Sequence, residues 1–174
     1  MLNQTNAMNT ETWVGNLIGK NTENKNIKIL FSIITVFLGS LLLIASAKIK
    51  VPLYPVPMTL QPLAVLMIAM LFGRKLATIT VGLYIFKGII GLPVFAFGGG
   101  LMYLTGPTGG FILGFFVSAF IVGNLADRGW GKKILLSIIS MLIGMLVIYT
   151  LGIFQLALLK GFNFALLKGF YPFL

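Results

Sequence analysis

The run ILLSIISMLIGMLVIYTLGIFQLALL, residues 134–159, decides the fold class because it contains no charged residue. A transmembrane helix needs about 20 predominantly apolar residues, and this run is longer. The rest of the chain has the same character: of 174 residues, 58% are hydrophobic and 9% are charged, and the mean hydropathy is +1.02. A soluble domain of this size cannot bury so much apolar surface. We therefore predict an all-α fold, a polytopic membrane helix bundle.

Four further apolar runs precede this one, at residues 29–47, 59–72, 76–92 and 109–126. A last run, at residues 161–174, would extend about 21 Å as a helix, which is short of the roughly 30 Å hydrocarbon core of a bilayer. We therefore expect five complete transmembrane helices plus an incomplete sixth, in a chain truncated at its C-terminus.

Residues 1–28 form a polar N-terminal tail that lacks the apolar segment of a secretory signal. We expect this tail to be cytoplasmic, ahead of a transmembrane domain at residues 29–174. Basic residues set the orientation of multi-pass membrane proteins, and this arrangement places eight of them inside and four outside. The eight are Lys20, Lys25, Lys28, Arg74, Lys75, Arg128, Lys132 and Lys133, and the four are Lys48, Lys50, Lys160 and Lys168.

The net charge of +10 is explained by this topology, so we predict no nucleic acid partner. The chain contains no Cys and no His, which removes thiol nucleophiles, histidine bases and the usual zinc, haem and iron–sulfur ligands. It also lacks a Walker motif for ATP binding. We expect neither an enzyme nor a protein with a metal or cofactor.

Four prolines between residues 52 and 62 prevent a regular helix there, since each lacks a backbone N–H and restricts the preceding residue. Irregular backbone at membrane depth is tolerated where it is buried in protein or lines a cavity. Thr59 and Gln61 would place a hydroxyl and an amide near the outer end of a helix. Thr59 is also a good helix-capping residue, and the two roles are compatible.

Residues 91–110 are rich in Gly and Pro, with aromatic residues such as Phe95 and Tyr103 between them. Glycines such as Gly98 and Gly99 let the backbone approach a ligand closely, and aromatic faces cover flat apolar surfaces. The segment suits an uncharged small molecule that contains rings. A flexible outer loop whose glycines serve only its turns is the alternative.

Lys87 is the single charged residue inside a predicted span. Its ammonium group either extends to the membrane interface or meets a partner in the membrane. No Asp or Glu lies in any of the spans, so an anionic ligand is the second explanation for this charge.

Three stretches resemble the BioY family, the biotin-specific substrate-binding (S) components of energy-coupling factor (ECF) transporters. They are Val56-Pro57-Met58-Thr59-Leu60-Gln61, then Tyr84 leading to Gly88-Ile89-Ile90-Gly91-Leu92-Pro93-Val94-Phe95, then Gly106-Pro107-Thr108-Gly109-Gly110 with Gly114-Phe115. The resemblance extends from about residue 30 to the end of the chain.

The resemblance implies a six-helix, multi-pass protein of the bacterial plasma membrane that captures biotin from outside, with residues 29–174 as its transmembrane substrate-binding domain. It also implies partners, namely a transmembrane coupling subunit and ABC-type ATPase subunits. The pocket would come from the outer ends of the second and third helices and the loop after Pro93, with Lys87 facing the biotin carboxylate. The substrate-binding residues would be Thr59, Gln61, Tyr84, Lys87, Phe95, Gly98, Gly99, Tyr103 and Thr108.

Two other functions stay open at this point. The chain could be an S component for another small vitamin, which would differ only in its ligand. It could also be a degenerate, non-transporting membrane protein that lacks the sixth helix.

Overall fold

The computed structural model describes residues 24–169, together with residues 12, 14, 15 and 17. The described residues include two short strands, which form an antiparallel pair with Lys50 opposite Thr59. All other named elements are helical. In chain order the elements are α1 (Lys25–Lys48), β1 (Lys50–Val51), β2 (Met58–Thr59), α2 (Gln61–Ile89), α3 (Leu101–Thr105), α4 (Gly109–Asp127), a 3₁₀ helix (Trp130–Lys132), α5 (Ile134–Lys160) and α6 (Phe162–Gly169).

In the described part of the chain, four helices are long and apolar enough to cross a membrane: α1, α2, α4 and α5. Their outer faces keep large apolar side chains exposed. On α5, Leu142 is 59% exposed and Leu146 is 68% exposed. Such a surface is unfavourable in water and suits contact with lipid. The protein is therefore a helical membrane bundle, as the composition predicts.

Local signals fix where the helices begin and end. The Asn24 side chain accepts a hydrogen bond from the Asn26 N–H at 3.2 Å, so α1 begins at Lys25, inside the predicted tail. Gly161, at φ +89°, adopts a conformation that other residues rarely take, and α5 ends immediately before it.

Helix α2 is two antiparallel arms rather than one rod. A continuous helix would separate Gln61 from Tyr84 by about 35 Å. Instead, the Gln61 Nε2 atom lies 2.6 Å from the Tyr84 hydroxyl oxygen. The chain reverses at Gly73, whose φ of +77° is non-helical. The two arms, residues 61–72 and 74–89, correspond to the second and third apolar runs of the sequence.

The reversal at Gly73 packs against the end of α4. The Arg74 N–H donates to the Asp127 Oδ2 atom at 3.1 Å, which caps the second arm. A Cβ atom on Gly73 would lie 2.1 Å from Asp127 Oδ1, and one on Gly123 would lie 2.6 Å from the Arg74 Cα atom. These contacts leave no space for a side chain at either glycine, so this end of the bundle is closed.

Helices α4 and α5 lie side by side and antiparallel, with their backbones in close contact. A Cβ atom on Gly110 would lie 2.3 Å from the Leu151 carbonyl oxygen, and one on Gly114 would lie 2.8 Å from the Ile148 Cα atom. Small residues permit this approach, which is a common way to pack helices in membranes. The first turn of α4 is thereby held against the later half of α5.

Buried hydroxyl groups within the bundle are satisfied by their own helices. Ser40, Thr80, Ser118 and Ser140 each donate to a carbonyl three or four residues earlier, at 2.7–3.1 Å. An unpaired hydroxyl would be costly in a medium without water. These four side chains therefore need no ligand to explain them.

Candidate binding cavity

The proline-rich and glycine-rich stretches meet around one cavity of about 60 Å³ at the end of the bundle opposite Gly73. Helices α4 and α5 complete its wall. The residues that line it are Val56, Pro57, Met58, Thr59, Gln61, Pro62, Phe95, Ala96, Tyr103, Thr108, Phe111, Ile112, Phe115, Ile148 and Tyr149.

None of these described lining residues is charged. Aromatic rings and aliphatic side chains supply most of the wall, and the polar groups are hydroxyls and one amide, that of Gln61. A largely apolar cavity with a few convergent polar groups is the usual form of a small-molecule site. The arrangement can enclose a neutral ring system and offer it hydrogen bonds.

Thr59 and Gln61 occupy the cavity from the start of α2. The Thr59 Oγ1 atom accepts a hydrogen bond from the Gln61 N–H at 3.3 Å, although the N-cap position itself is Leu60. Thr59 therefore supports the first turn of the helix and also lines the cavity.

Tyr84 stands behind the cavity wall and fixes the Gln61 amide. Its ring is 1% exposed, and its hydroxyl oxygen accepts the hydrogen bond from Gln61 Nε2 at 2.6 Å. The Gln61 side chain is itself 5% exposed. Because the amide nitrogen is held by Tyr84, the rest of the amide group has a defined orientation towards the cavity.

Phe95 joins the loop to the helices through its ring. The ring stacks on Tyr103, with centroids 4.9 Å apart, and meets Tyr84 edge to face at 5.5 Å. Gly88 makes room for it, since a Cβ atom there would lie 2.0 Å from the Phe95 ring. Such aromatic pairs stabilise a site beyond the area that they bury. Phe95 is therefore a fixed wall of the cavity.

The far side of the loop is tied to α5 by Gln155. Its Nε2 atom donates to the carbonyl oxygens of Leu104, at 2.9 Å, and Gly106, at 2.8 Å.

The Tyr103 hydroxyl lies in the same part of the loop. Burial raises the pKa of this hydroxyl, while its hydrogen bonds with the Thr108 side chain and the Phe97 backbone lower it. The net shift is upward, so the hydroxyl stays protonated near neutral pH.

The structure brings five of the predicted binding residues to the cavity surface: Thr59, Gln61, Phe95, Tyr103 and Thr108. Tyr84 touches two of them from behind. Gly98 and Gly99 do not line the cavity. A Cβ atom on Gly99 would lie 2.0 Å from the Leu92 carbonyl oxygen, so this glycine serves the packing of the loop on itself.

Lys87 does not face the cavity, and the structure corrects its predicted direction. Its Nζ atom donates to the Ser40 hydroxyl oxygen of α1 at 2.8 Å and lies 4.6 Å from the centroid of the Phe37 ring. The partners of the Lys87 charge are therefore a neutral hydroxyl and an aromatic face. Its position on the helix explains this, because adjacent residues point about 100° apart and the next residue, Gly88, packs on Phe95.

Several lining residues were not among the predicted binding residues, chiefly Phe111, Phe115, Ile148 and Tyr149. They lie inside α4 and α5, where an apolar residue facing a cavity cannot be distinguished from one facing the core or lipid. A weak signal existed in the spacing, since Phe111 and Phe115 follow Gly110 and Gly114 and are four residues apart, on one helix face.

Comparisons with known proteins agree with this architecture. The sequence profile of the BioY family matches residues 20–174. The "Biotin transporter BioY" of Thermotoga maritima is 42% identical over 116 residues, which are 66% of this chain and 68% of that protein. The "Probable biotin transporter BioY" of Pyrococcus horikoshii is 38% identical over 129 residues, 74% of this chain and 75% of that protein.

A solved structure shares the fold. It is described as the S-component for biotin from an ECF-type ABC transporter, and it superposes with a TM-score of 0.71 at 22% sequence identity. The superposition covers 87% of this chain and 85% of the other. With a family match over most of the sequence and relatives that are transporters rather than enzymes, the chain is a multi-pass membrane protein that belongs to the BioY family.

Proposed function

We propose that this protein is the biotin-binding S component of an ECF-type transporter, and that the cavity is its binding site. It takes biotin from outside the cell and delivers it through a transmembrane coupling subunit and ABC-type ATPases. One observation carries the proposal: the stretches that resemble the family converge on a single uncharged cavity walled by aromatic rings.

The chemistry of the cavity matches that of biotin. Biotin joins a bicyclic ureido ring system to an apolar valerate chain that ends in a carboxylate. The rings of Phe95 and Tyr103 can cover the bicyclic part, and the Gln61 amide with the Thr59 and Thr108 hydroxyls can exchange hydrogen bonds with the ureido group. Unpaired polar groups in such a site would disfavour an analogue without the ureido group.

In this proposal, the residues that contact biotin are the five predicted ones at the cavity surface together with Phe111, Phe115 and Tyr149. Tyr84 orients Gln61, and Gly98 and Gly99 shape the loop.

The same proposal assigns the topology. The two arms of α2 count as separate spans, which with α1, α4 and α5 makes five, and α6 begins the sixth. Most described basic residues lie at the Gly73 end, and fewer lie at the cavity end, which favours a cytoplasmic N-terminal tail at residues 1–28 and a cavity that faces outward. The first group comprises Lys25, Lys28, Arg74, Lys75, Arg128, Lys132 and Lys133, and the second comprises Lys48, Lys50 and Lys160.

Direct ligand binding tests this function. The purified chain in lipid nanodiscs is equilibrated with radiolabelled biotin, with riboflavin and thiamine as competitors. We expect saturable binding that unlabelled biotin displaces and that the other two vitamins leave unchanged. Absence of saturable binding would overturn the proposal, and displacement by riboflavin or thiamine would assign the cavity to another vitamin.

A further inference from the structure

Two lysines hold the loop that covers the cavity: Lys48, the last residue of α1, and Lys50, the first residue of β1. The Lys48 Nζ atom donates to the carbonyl oxygens of Pro93, at 2.7 Å, and Phe95, at 2.9 Å. The Lys50 Nζ atom donates to the carbonyl oxygen of Ala96, the next residue along the loop. Two ammonium groups therefore converge on one short segment of backbone.

This segment is part of the cavity wall. Phe95 and Ala96, whose carbonyl oxygens accept these bonds, both line the cavity. Lys50 is also the strand partner of Thr59, a third lining residue. The lysine pair is thus connected to the wall from two sides, through the loop and through the short strand pair.

Among the described residues, all the groups that contact these two ammonium groups are neutral. Besides the carbonyl oxygens, Lys50 Nζ lies 3.7 Å from the centroid of the Phe97 ring. Within residues 24–169 the only acidic residue is Asp127, at the C-terminal end of α4 and about 24 Å along that helix from Phe111. Two positive charges therefore lie beside the cavity without a described carboxylate to balance them.

Both ammonium groups have N–H donors that these carbonyl oxygens do not use. An ammonium group has three N–H donors, of which Lys48 uses two and Lys50 uses one on these carbonyl oxygens. Lys48 is exposed and Lys50 is half-buried, so an incoming group can reach both. A carboxylate would be the strongest acceptor available to them, because hydrogen bonds between charged groups are about twice as strong as neutral ones.

We propose that Lys48 and Lys50 form an anion subsite at the rim of the cavity, and that it selects ligands which carry a carboxylate. This inference rests on the proposed function and deepens it. The cavity itself recognises the neutral rings, and the lysine pair supplies the charge that the cavity lacks. This lysine pair takes the role that the resemblance implied for Lys87, whose ammonium group contacts Ser40 and Phe37 instead.

The test compares biotin with its neutral methyl ester, in the full chain and in three double variants. Lys48→Met with Lys50→Met removes both charges. Lys48→Arg with Lys50→Arg keeps them. Lys25→Met with Lys28→Met removes two charges from the opposite end of the same helix and serves as the matched control.

We expect the double Met variant at Lys48 and Lys50 to bind biotin about tenfold more weakly, with affinity for the ester changed by less than about twofold. The Arg variant and the control should keep the affinity of the unaltered chain for biotin. Because exposed charges are screened by salt, the biotin affinity of the unaltered chain should also fall as ionic strength rises, and the Met variant should lose this dependence.

Three results would overturn the inference. An equal loss of affinity for biotin and ester would show that the lysines only hold the loop in place. An unchanged biotin affinity with an unchanged salt dependence would show that they are not part of the site. If the unaltered chain binds no biotin, the proposed function fails and this inference fails with it, whereas the first two results leave the proposed function intact.

Discussion

The two antiparallel arms of α2 form a helical hairpin, and its closed end at Gly73 and its open end at the cavity are held together in opposite ways. At the Gly73 end, a turn of one glycine packs so closely against Asp127 that a Cβ atom has no room. At the other end, Gln61 and Tyr84 meet through a hydrogen bond between side chains and leave a cavity beside them. The closed end is built for stability and the open end for binding. Substitutions at the two ends should therefore affect different measurements.

The largest effect is expected at the closed end. Gly73→Ala forces a positive φ on a residue with a side chain and places its Cβ atom 2.1 Å from Asp127 Oδ1. Strain and overpacking together should lower the free energy of unfolding by about 3 kcal/mol. The measurement is the yield of monodisperse protein and its unfolding midpoint in detergent.

Gly91→Ala is the matched control for that substitution. Gly91 also has a positive φ, +96°, but its Cβ atom would meet nothing within 4 Å. It should show the strain alone, about 1 kcal/mol. If the two variants lose the same stability, close packing at the Gly73 turn is not what holds the closed end.

The next effect is expected at the open end and concerns binding. Gly88→Ala would place a Cβ atom 2.0 Å from the Phe95 ring and push that ring into the cavity. We expect the dissociation constant for biotin to rise by about tenfold to a hundredfold. Gly82→Ala on the same arm is the control, since its Cβ atom would lie at an ordinary 3.5 Å from Phe116, and its biotin binding should be unchanged.

A smaller effect should follow removal of the Tyr84 hydroxyl. Tyr84→Phe leaves the Gln61 amide without its partner, and we expect biotin affinity to fall about fivefold, which corresponds to the net value of one hydrogen bond. Tyr54→Phe removes a hydroxyl from a tyrosine that is 78% exposed and should change nothing. Equilibrium dialysis measures both affinities. Unchanged or tighter biotin binding in Tyr84→Phe would contradict the role of Tyr84 in orienting the Gln61 amide.

The smallest effect on binding is expected for Lys87→Met. Because its ammonium group contacts Ser40 and Phe37 and not the cavity, biotin affinity should stay within about twofold, while the free energy of unfolding falls by about 1 kcal/mol. Ser40→Ala should have a similar cost in stability, and the two losses should not add. A tenfold loss of biotin affinity in Lys87→Met would return this residue to the site.

Much of the fold could be predicted because the apolar runs, and the residues that separate them, determine local helix formation. The five runs match helices or helix arms to within a few residues, since Asn24, Gly73 and Gly161 mark boundaries by their own chemistry. The position of Lys87 could not be predicted in the same way. Which face of a helix meets the cavity depends on packing, and a step of one residue turns a side chain by about 100°.

The lining residues in or next to the Pro-rich and Gly-rich stretches could be predicted from the sequence, whereas those inside the apolar helices could not. Prolines and glycines identified the loops that supply Thr59, Gln61 and Phe95, because such residues have specific backbone effects. Phe111 and Tyr149 lie in helices whose composition is apolar on every side, so only the packed structure separates them from lipid-facing residues. The Lys48 and Lys50 contacts depend on a loop more than forty residues away in sequence.

A structure of this protein determined with biotin bound, in a lipid environment, would show directly whether the cavity is the binding site. We expect density for the bicyclic rings beside Phe95, Tyr103 and Phe111, with the ureido group within hydrogen-bonding distance of the Gln61 amide or the Thr59 hydroxyl. Biotin bound elsewhere, with the residues around this cavity unchanged, would contradict it.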